Sequence, residues 1–200
     1  LKSSATCPQL GPMDTNDFQS LQDHFLVALP SLCEGIFAPS LIYLCEHNPE
    51  GAMGIIINRP LDMQVDEILE QLEYDDCAPH AEPVFAGGPV HTDRGFVLHR
   101  RDQRHWESSI EVSRDIALTT SLDILDAIAH QQGPSHNLIA LGYAGWGPGQ
   151  LEDEMLQNGW LTGEGREDLI FGADHDGKWQ SALRAQGIDP SLLSAAAGRA

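Results

Sequence analysis

Leu141-Gly-Tyr-Ala-Gly-Trp-Gly-Pro-Gly-Gln-Leu-Glu152 is the stretch on which the reading of the chain depends. Asn137 to Tyr143 has the apolar character of a buried strand, and Gln150 to about Gln157 has that of a helix. A strand, a glycine turn and a helix in that order is where α/β proteins often bind phosphate, because the first N–H groups of a helix point at an anion. The residue types do not suit that use. A P-loop requires Gly-Lys and then Ser or Thr, whereas Gly149 is followed by Gln150 and Leu151. A dinucleotide turn counted from Gly147 would end on Glu152, and counted from Gly145 on Gln150, where a small residue is required. Glu152, Asp153 and Glu154 fill the first helical turn, complement its dipole and repel an anionic ligand. The glycines are therefore expected to permit a tight, positive-φ turn around Trp146.

Outward from this stretch, strands and helices alternate without internal repeats. His24 to Leu29, Ser40 to Glu46 and Ala52 to Asn58 read as strands, the last two joined into a hairpin through His47-Asn-Pro-Glu-Gly51. The run Ile55-Ile56-Ile57 predicts a strand covered on both faces. Pro60 is expected to stop it, and Asp62 to cap a helix whose apolar positions are Val65, Ile68, Leu69 and Leu72. Val84 to Val90 reads as a short strand ending in Gly-Gly-Pro, Gly95 to His99 as another, and Ile110 with Val112 as an edge strand. Thr120 and Asp123 resemble a capping box before a helix with the stripe Leu122, Leu125, Ile128 and Ala129. Asp168 to Gly172 is expected to be a last strand, followed by helices at 178–186 and 190–197. Hairpins interspersed with helices predict an α+β fold with helices packed on a mixed sheet.

Length and charge bound the function. Two hundred residues fit one domain, with residues 1–20 expected to be a disordered tail and 21–200 the folded unit. Residues 1–12 lack the pattern of a secretory signal, and Met13 opens a more typical start. Eleven Lys plus Arg face 30 Asp plus Glu, a formal charge of −19. That balance disfavours direct nucleic-acid binding and anionic membrane surfaces, both of which need clustered cations. The cysteines, Cys7, Cys33, Cys45 and Cys77, contain no Cys-x-x-Cys pair, which fits a reducing, cytoplasmic setting better than a disulfide framework.

Several residues are candidates for chemistry. Asn58-Arg59-Pro60 ends a buried strand, where open sheets bind ligands, and Arg59 could clamp a carboxylate or phosphate. The alternative is that Asn58 organises the turn and Arg59 pairs with an acid. A binding cleft is expected among Asn58, Arg59, Gly87, Gly88, Trp146 and Gln150, with His47 and His99 as weaker candidates. The nine histidines give no zinc spacing, so neither a metal nor a cofactor is implied. There is no Gly-x-Ser-x-Gly elbow, and Cys33, a loop cysteine, has no adjacent cation to lower its pKa.

Taken in order, His24-Phe-Leu-Val-Ala-Leu-Pro30, Cys45-Glu-His47, Gly51-Ala-Met-Gly54, Ile57-Asn-Arg-Pro60, Gly87-Gly-Pro-Val90, Asp93-Arg-Gly-Phe-Val-Leu-His99, Leu141 to Trp146, Gly149-Gln-Leu-Glu152 and Asn158-Gly-Trp-Leu161 resemble the AlgH family of bacterial proteins. The resemblance implies a mixed sheet curled into a pseudo-barrel with flanking helices, in a cytosolic protein sometimes labelled a transcriptional regulator. The expected function is a module binding a small molecule or a protein, with an indirect regulatory role. The alternatives are an enzyme using Arg59 with His47 or His99, and a direct DNA-binding regulator.

Overall fold

Neighbouring residues of a strand point to opposite faces, yet Phe25, Leu26, Val27 and Ala28 are all buried, so the sheet that holds them is covered on both sides. The computed structural model describes residues 18–29, 39–74 and 79–191. In chain order the elements are β1 (His24–Ala28), β2 (Leu41–Asn48), β3 (Gly51–Ile56), β4 (Pro60–Gln64), α1 (Val65–Gln71), β5 (Pro83–Ala86), β6 (Val90–Arg100), β7 (Ser109–Glu111), β8 (Ile116–Thr119), α2 (Leu122–Ala129), β9 (Asn137–Trp146), α3 (Gln150–Leu156), β10 (Trp160–Glu164), α4 (Glu167–Ile170) and α5 (Lys178–Ala185). The strand order is β10-β1-β2-β3-β9-β6-β8-β7, antiparallel along that path, with β5 lying parallel to β9 and β4 antiparallel to β5. The sheet is therefore mixed.

The sheet curls on itself. Gln22, just before β1, donates its side-chain amide to the Val112 carbonyl at 2.8 Å, although Val112 follows β7 near the far end of the strand order. The concave interior holds Phe25, Val27, Tyr43, Ile55, Ile57, Phe96, Leu98 and Leu138, closed by Ile170 of α4 and by Trp179 and Leu183 of α5. On the outer face, α3 covers Leu26, Ile42, Leu44 and Ile56, while α1 and α2 cover Val84, Val97 and Ile139. Ile55, Ile56 and Ile57 are buried, as a strand covered on both faces requires.

Lys178 fastens α5 from inside. Its ammonium, only 3% exposed, donates to the Ile57 carbonyl at 3.1 Å and the Ile170 carbonyl at 2.7 Å, and lies 5.5 Å from the centre of the Phe85 ring. Burial lowers its pKa from 10.5 to about 8. The Trp179 indole adds a bond to the Ala28 carbonyl at 3.1 Å.

Several elements differ from their sequence reading. Pro60 opens β4 rather than ending a strand; a proline without an N–H is tolerated at a strand's first position. The helix after it is capped by Gln64, whose N–H donates to the Glu67 carboxylate at 2.9 Å, and not by Asp62. At α2 the cap is Ser121 rather than Thr120, and Leu122 is 59% exposed while Ile124 is buried. Asp168–Gly172 is not a strand. Glu167 and Asp168 stand at a helix N-terminus, where carboxylates are favoured, and Leu169, Ile170 and Phe171 pack on the concave core from a single helical turn. The last strand is instead β10, and β8 is a further strand. The helix read over 190–197 lies mostly outside the described residues, as do Cys7, Cys33 and Cys77.

The glycine-rich stretch is mostly strand. β9 runs through Trp146, leaving only Gly147-Pro148-Gly149 as the turn, with Gly149 at φ 72° before α3. Gly142, inside the strand, has φ 73°, and a Cβ there would overlap the Gly88 carbonyl. Gly142→Ala should therefore lose at least about 2 kcal/mol in urea denaturation, from the left-handed backbone penalty plus the overlap. An unchanged midpoint would show that the local geometry relaxes freely.

Candidate functional site

The residues singled out from sequence fall into separate places. Asn58 holds a turn: its Oδ1 accepts from the Leu41 N–H at 2.8 Å, and its Nδ2 donates to the Pro39 carbonyl at 2.9 Å. Arg59 is half-buried, and burial lowers its pKa. Gly87 and Gly88 lie where β5 hands over to β3 alongside β9. A Cβ on Gly87 would overlap the Gly142 carbonyl, and one on Gly88 would overlap the Tyr143 backbone. Gln150 closes the glycine turn by accepting the Gly147 N–H at 3.0 Å, so the donor a phosphate would have used is occupied.

Both histidine candidates are fully engaged. The Leu21 N–H donates to His47 Nδ1 at 2.8 Å, so Nε2 carries the ring proton and donates to Glu152 at 2.9 Å. His99, 2% exposed, donates Nδ1–H to the Arg100 carbonyl at 3.0 Å and accepts at Nε2 from the Thr119 hydroxyl at 2.9 Å. Burial lowers the His99 pKa, consistent with a neutral ring. Cys45 is a free, buried thiol whose pKa burial raises. Among the described residues no three His, Cys, Asp or Glu side chains are grouped to hold a metal, and no helix is long and apolar enough to cross a membrane.

Trp146 does border a cavity. The trough, of about 680 Å³, opens at the mouth of the curled sheet over Met53, Phe96, Tyr143 and Trp146, with Glu46 and Glu50 on its rim. Asn58, Arg59, Gly87, Gly88 and Gln150 do not line it. A second cavity, of about 530 Å³, lies between α1, α2 and the sheet, walled by Ile68, Leu72, Val97, Leu125, Ile139 and Leu141.

One segment joins the two. In the β6–β9 ladder Val90 faces Tyr143 and Gly95 faces Leu141, so His91, Thr92, Asp93 and Arg94 stand opposite Gly142 alone. This is a large bulge, a device found often beside active sites. His91 has φ 48°, a left-handed conformation uncommon outside glycine, and its ring lies 6.0 Å from that of Tyr143. Arg94 lines both cavities, sits 5.8 Å above the Phe96 ring, and makes no ion pair among the described residues. The sequence reading ended one strand at Val90, began the next at Gly95 and missed this display.

A mixed sheet curled toward closure, with helices on its outer face and α4 and α5 closing its interior, defines a single α+β domain. The chain belongs to the AlgH-like family, whose model matches residues 25–191. Similar proteins include the UPF0301 proteins of Saccharophagus degradans, 49% identical over 190 residues (94% of this chain, 93% of that protein), and of Chromohalobacter salexigens, 49% identical over 182 residues (90% and 98%). The solution structure of the AlgH protein from Pseudomonas aeruginosa matches with a TM-score of 0.75 at 41% identity, covering 97% of this chain and all of that one. A crystal structure from Corynebacterium diphtheriae, at 20% identity and a TM-score of 0.72 over 88% of this chain and 93% of that one, shares the fold.

Proposed function

We propose that this chain is a small-molecule-binding module of the cytoplasm, with an indirect regulatory role, whose ligand sits in the trough beside the His91–Arg94 bulge. The observation that carries this reading is the bulge itself: four consecutive polar residues of β6 stand opposite one glycine and set Arg94, which makes no ion pair among the described residues, on the lining of both cavities. Bulges and left-handed non-glycine residues concentrate where a side chain must be re-aimed for function. The trough's size falls within the roughly 300–1,000 Å³ typical of ligand sites, and its apolar floor is bordered by Glu46, Asn48, Glu50, His91 and Arg94. Phe96 and Tyr143 suit a flat or apolar ligand body, with a polar group reaching Arg94. Binding is favoured over catalysis because His47, His99 and Cys45 are all committed to internal contacts. The charge of −19 weighs against direct DNA recognition.

A thermal-shift screen of metabolites tests the proposal. A ligand at about a hundred times its Kd should add roughly 2.7 kcal/mol of stability. The shift should disappear in Met53→Trp, which fills the trough, and shrink in Arg94→Gln. A hit that stabilises all three proteins equally would place its site elsewhere, and a library without hits would leave a protein as the partner.

A further inference from the structure

The second cavity differs in kind from the trough. Its walls are aliphatic, and Leu72 and Leu122 remain 38% and 59% exposed at its edge. Such side chains gain by contact with a hydrocarbon, since each methylene taken from water is worth about fourfold in affinity. Its polar lining includes Thr92, Asp93 and Arg94 together with Gln71, Thr119, Thr120 and Ser121. Neither Asp93 nor Arg94 makes an ion pair among the described residues, so an acceptor and a donor fork of opposite charge, adjacent in the chain, both line the cleft.

That pairing selects among head groups. A carboxylate would satisfy Arg94 but would face Asp93 and a protein of net charge −19. An ammonium would satisfy Asp93 and oppose Arg94. An amide offers a carbonyl oxygen to the guanidinium and an N–H to the carboxylate, and carries no charge. We propose that the cleft between α1 and α2 binds a straight-chain acyl amide, its hydrocarbon against Ile68, Leu125 and Ile139 and its amide between Asp93 and Arg94. This rests on the same reading of the bulge as a ligand-bearing segment, but assigns it a second compartment and a ligand class.

Calorimetric titration with N-methyl amides of four to ten carbons tests it. Affinity should climb about fourfold per methylene and then level off when the cleft is full. Leu125→Trp should make it level off at a shorter chain, and Leu122→Asn, at an exposed position, should weaken the longer amides if Leu125→Trp does not fold. Asp93→Asn and Arg94→Gln keep a hydrogen bond but remove its charge, and should each weaken binding about threefold to tenfold at every chain length. A carboxylate or amine of matched length should bind more weakly than the amide. A series without length dependence, one unchanged in both cleft variants, or a carboxylate that outcompetes the amide overturns the proposal. If a screening hit is lost in Met53→Trp while the amide series stays flat, the trough reading stands and this one falls. Amides that bind alongside a screen without hits give the reverse.

Discussion

Between pH 8 and 10.5 the native chain is expected to gain up to about 3 kcal/mol of stability that a Lys178→Met variant does not gain. Lys178 titrates near 8 in the fold and near 10.5 when unfolded. Between those values the unfolded chain binds the extra proton, so raising the pH favours the native state. Below pH 8 both states are protonated, and the full cost of burying the ammonium remains. The Met variant removes the titrating group while filling much the same volume. Tyr43 works in the opposite sense above pH 10: burial, followed by its bond to Asp23 at 2.6 Å, raises its pKa, so stability is lost as the unfolded phenol ionises. Both proteins carry Tyr43, so its effect cancels in the comparison. Urea denaturation of the two at several pH values measures the difference directly, and a constant offset across this range would refute the assignment.

Glu154→Leu is expected to cost about 2–4 kcal/mol, more than an ordinary helix-surface change. One carboxylate oxygen accepts both indole N–H groups, from Trp146 at 2.9 Å and from Trp160 at 2.7 Å. The other accepts from Gln150 at 3.0 Å. The two indoles meet edge-to-face with centroids 5.9 Å apart, and both are buried. Leucine would remove the acceptor that both indole N–H groups use, at roughly 1–3 kcal/mol for each buried donor affected. Glu154→Gln keeps one acceptor oxygen and should cost less. Chemical denaturation followed by tryptophan fluorescence reads both effects; a loss below about 0.5 kcal/mol for the leucine variant would show that water replaces the carboxylate.

The carboxylates after the glycine stretch were legible only in part. Their sequence disfavoured a phosphate cradle, and Gln150, read as a cleft residue, closes the turn instead. Their actual work was hidden because it is long-range: Glu152 reaches His47, and Glu154 reaches Trp146 and Trp160. The β2–β3 hairpin and the buried triple isoleucine were readable because both are local patterns. Short apolar runs were not, since Leu169-Ile170-Phe171 and Ile116-Ala-Leu-Thr119 differ little in composition yet one is helix and the other strand. The candidate site was harder still. A bulge is a relation between two strands, and nothing in His91-Thr-Asp-Arg94 alone reveals that Gly142 stands opposite. Trp146 was found because an aromatic among glycines is conspicuous; Arg94 was not, because its position depends on β9.

β9 carries a wider consequence. Along one edge it keeps β6 as neighbour, while along the other it lies beside β5 at Ala140–Leu141 and then beside β3 from Ala144 to Trp146. Every ladder between the N-terminal hairpin half and the β5–β8 half passes through this one strand. Off the ladders, the two halves meet in the shared concave core and through the Gln22–Val112 bond, and the trough opens along β9, with Met53 on one side, Phe96 on the other and Tyr143 between them. A molecule held there would touch both halves at once, adding a tie between them beyond the one strand that carries their ladders.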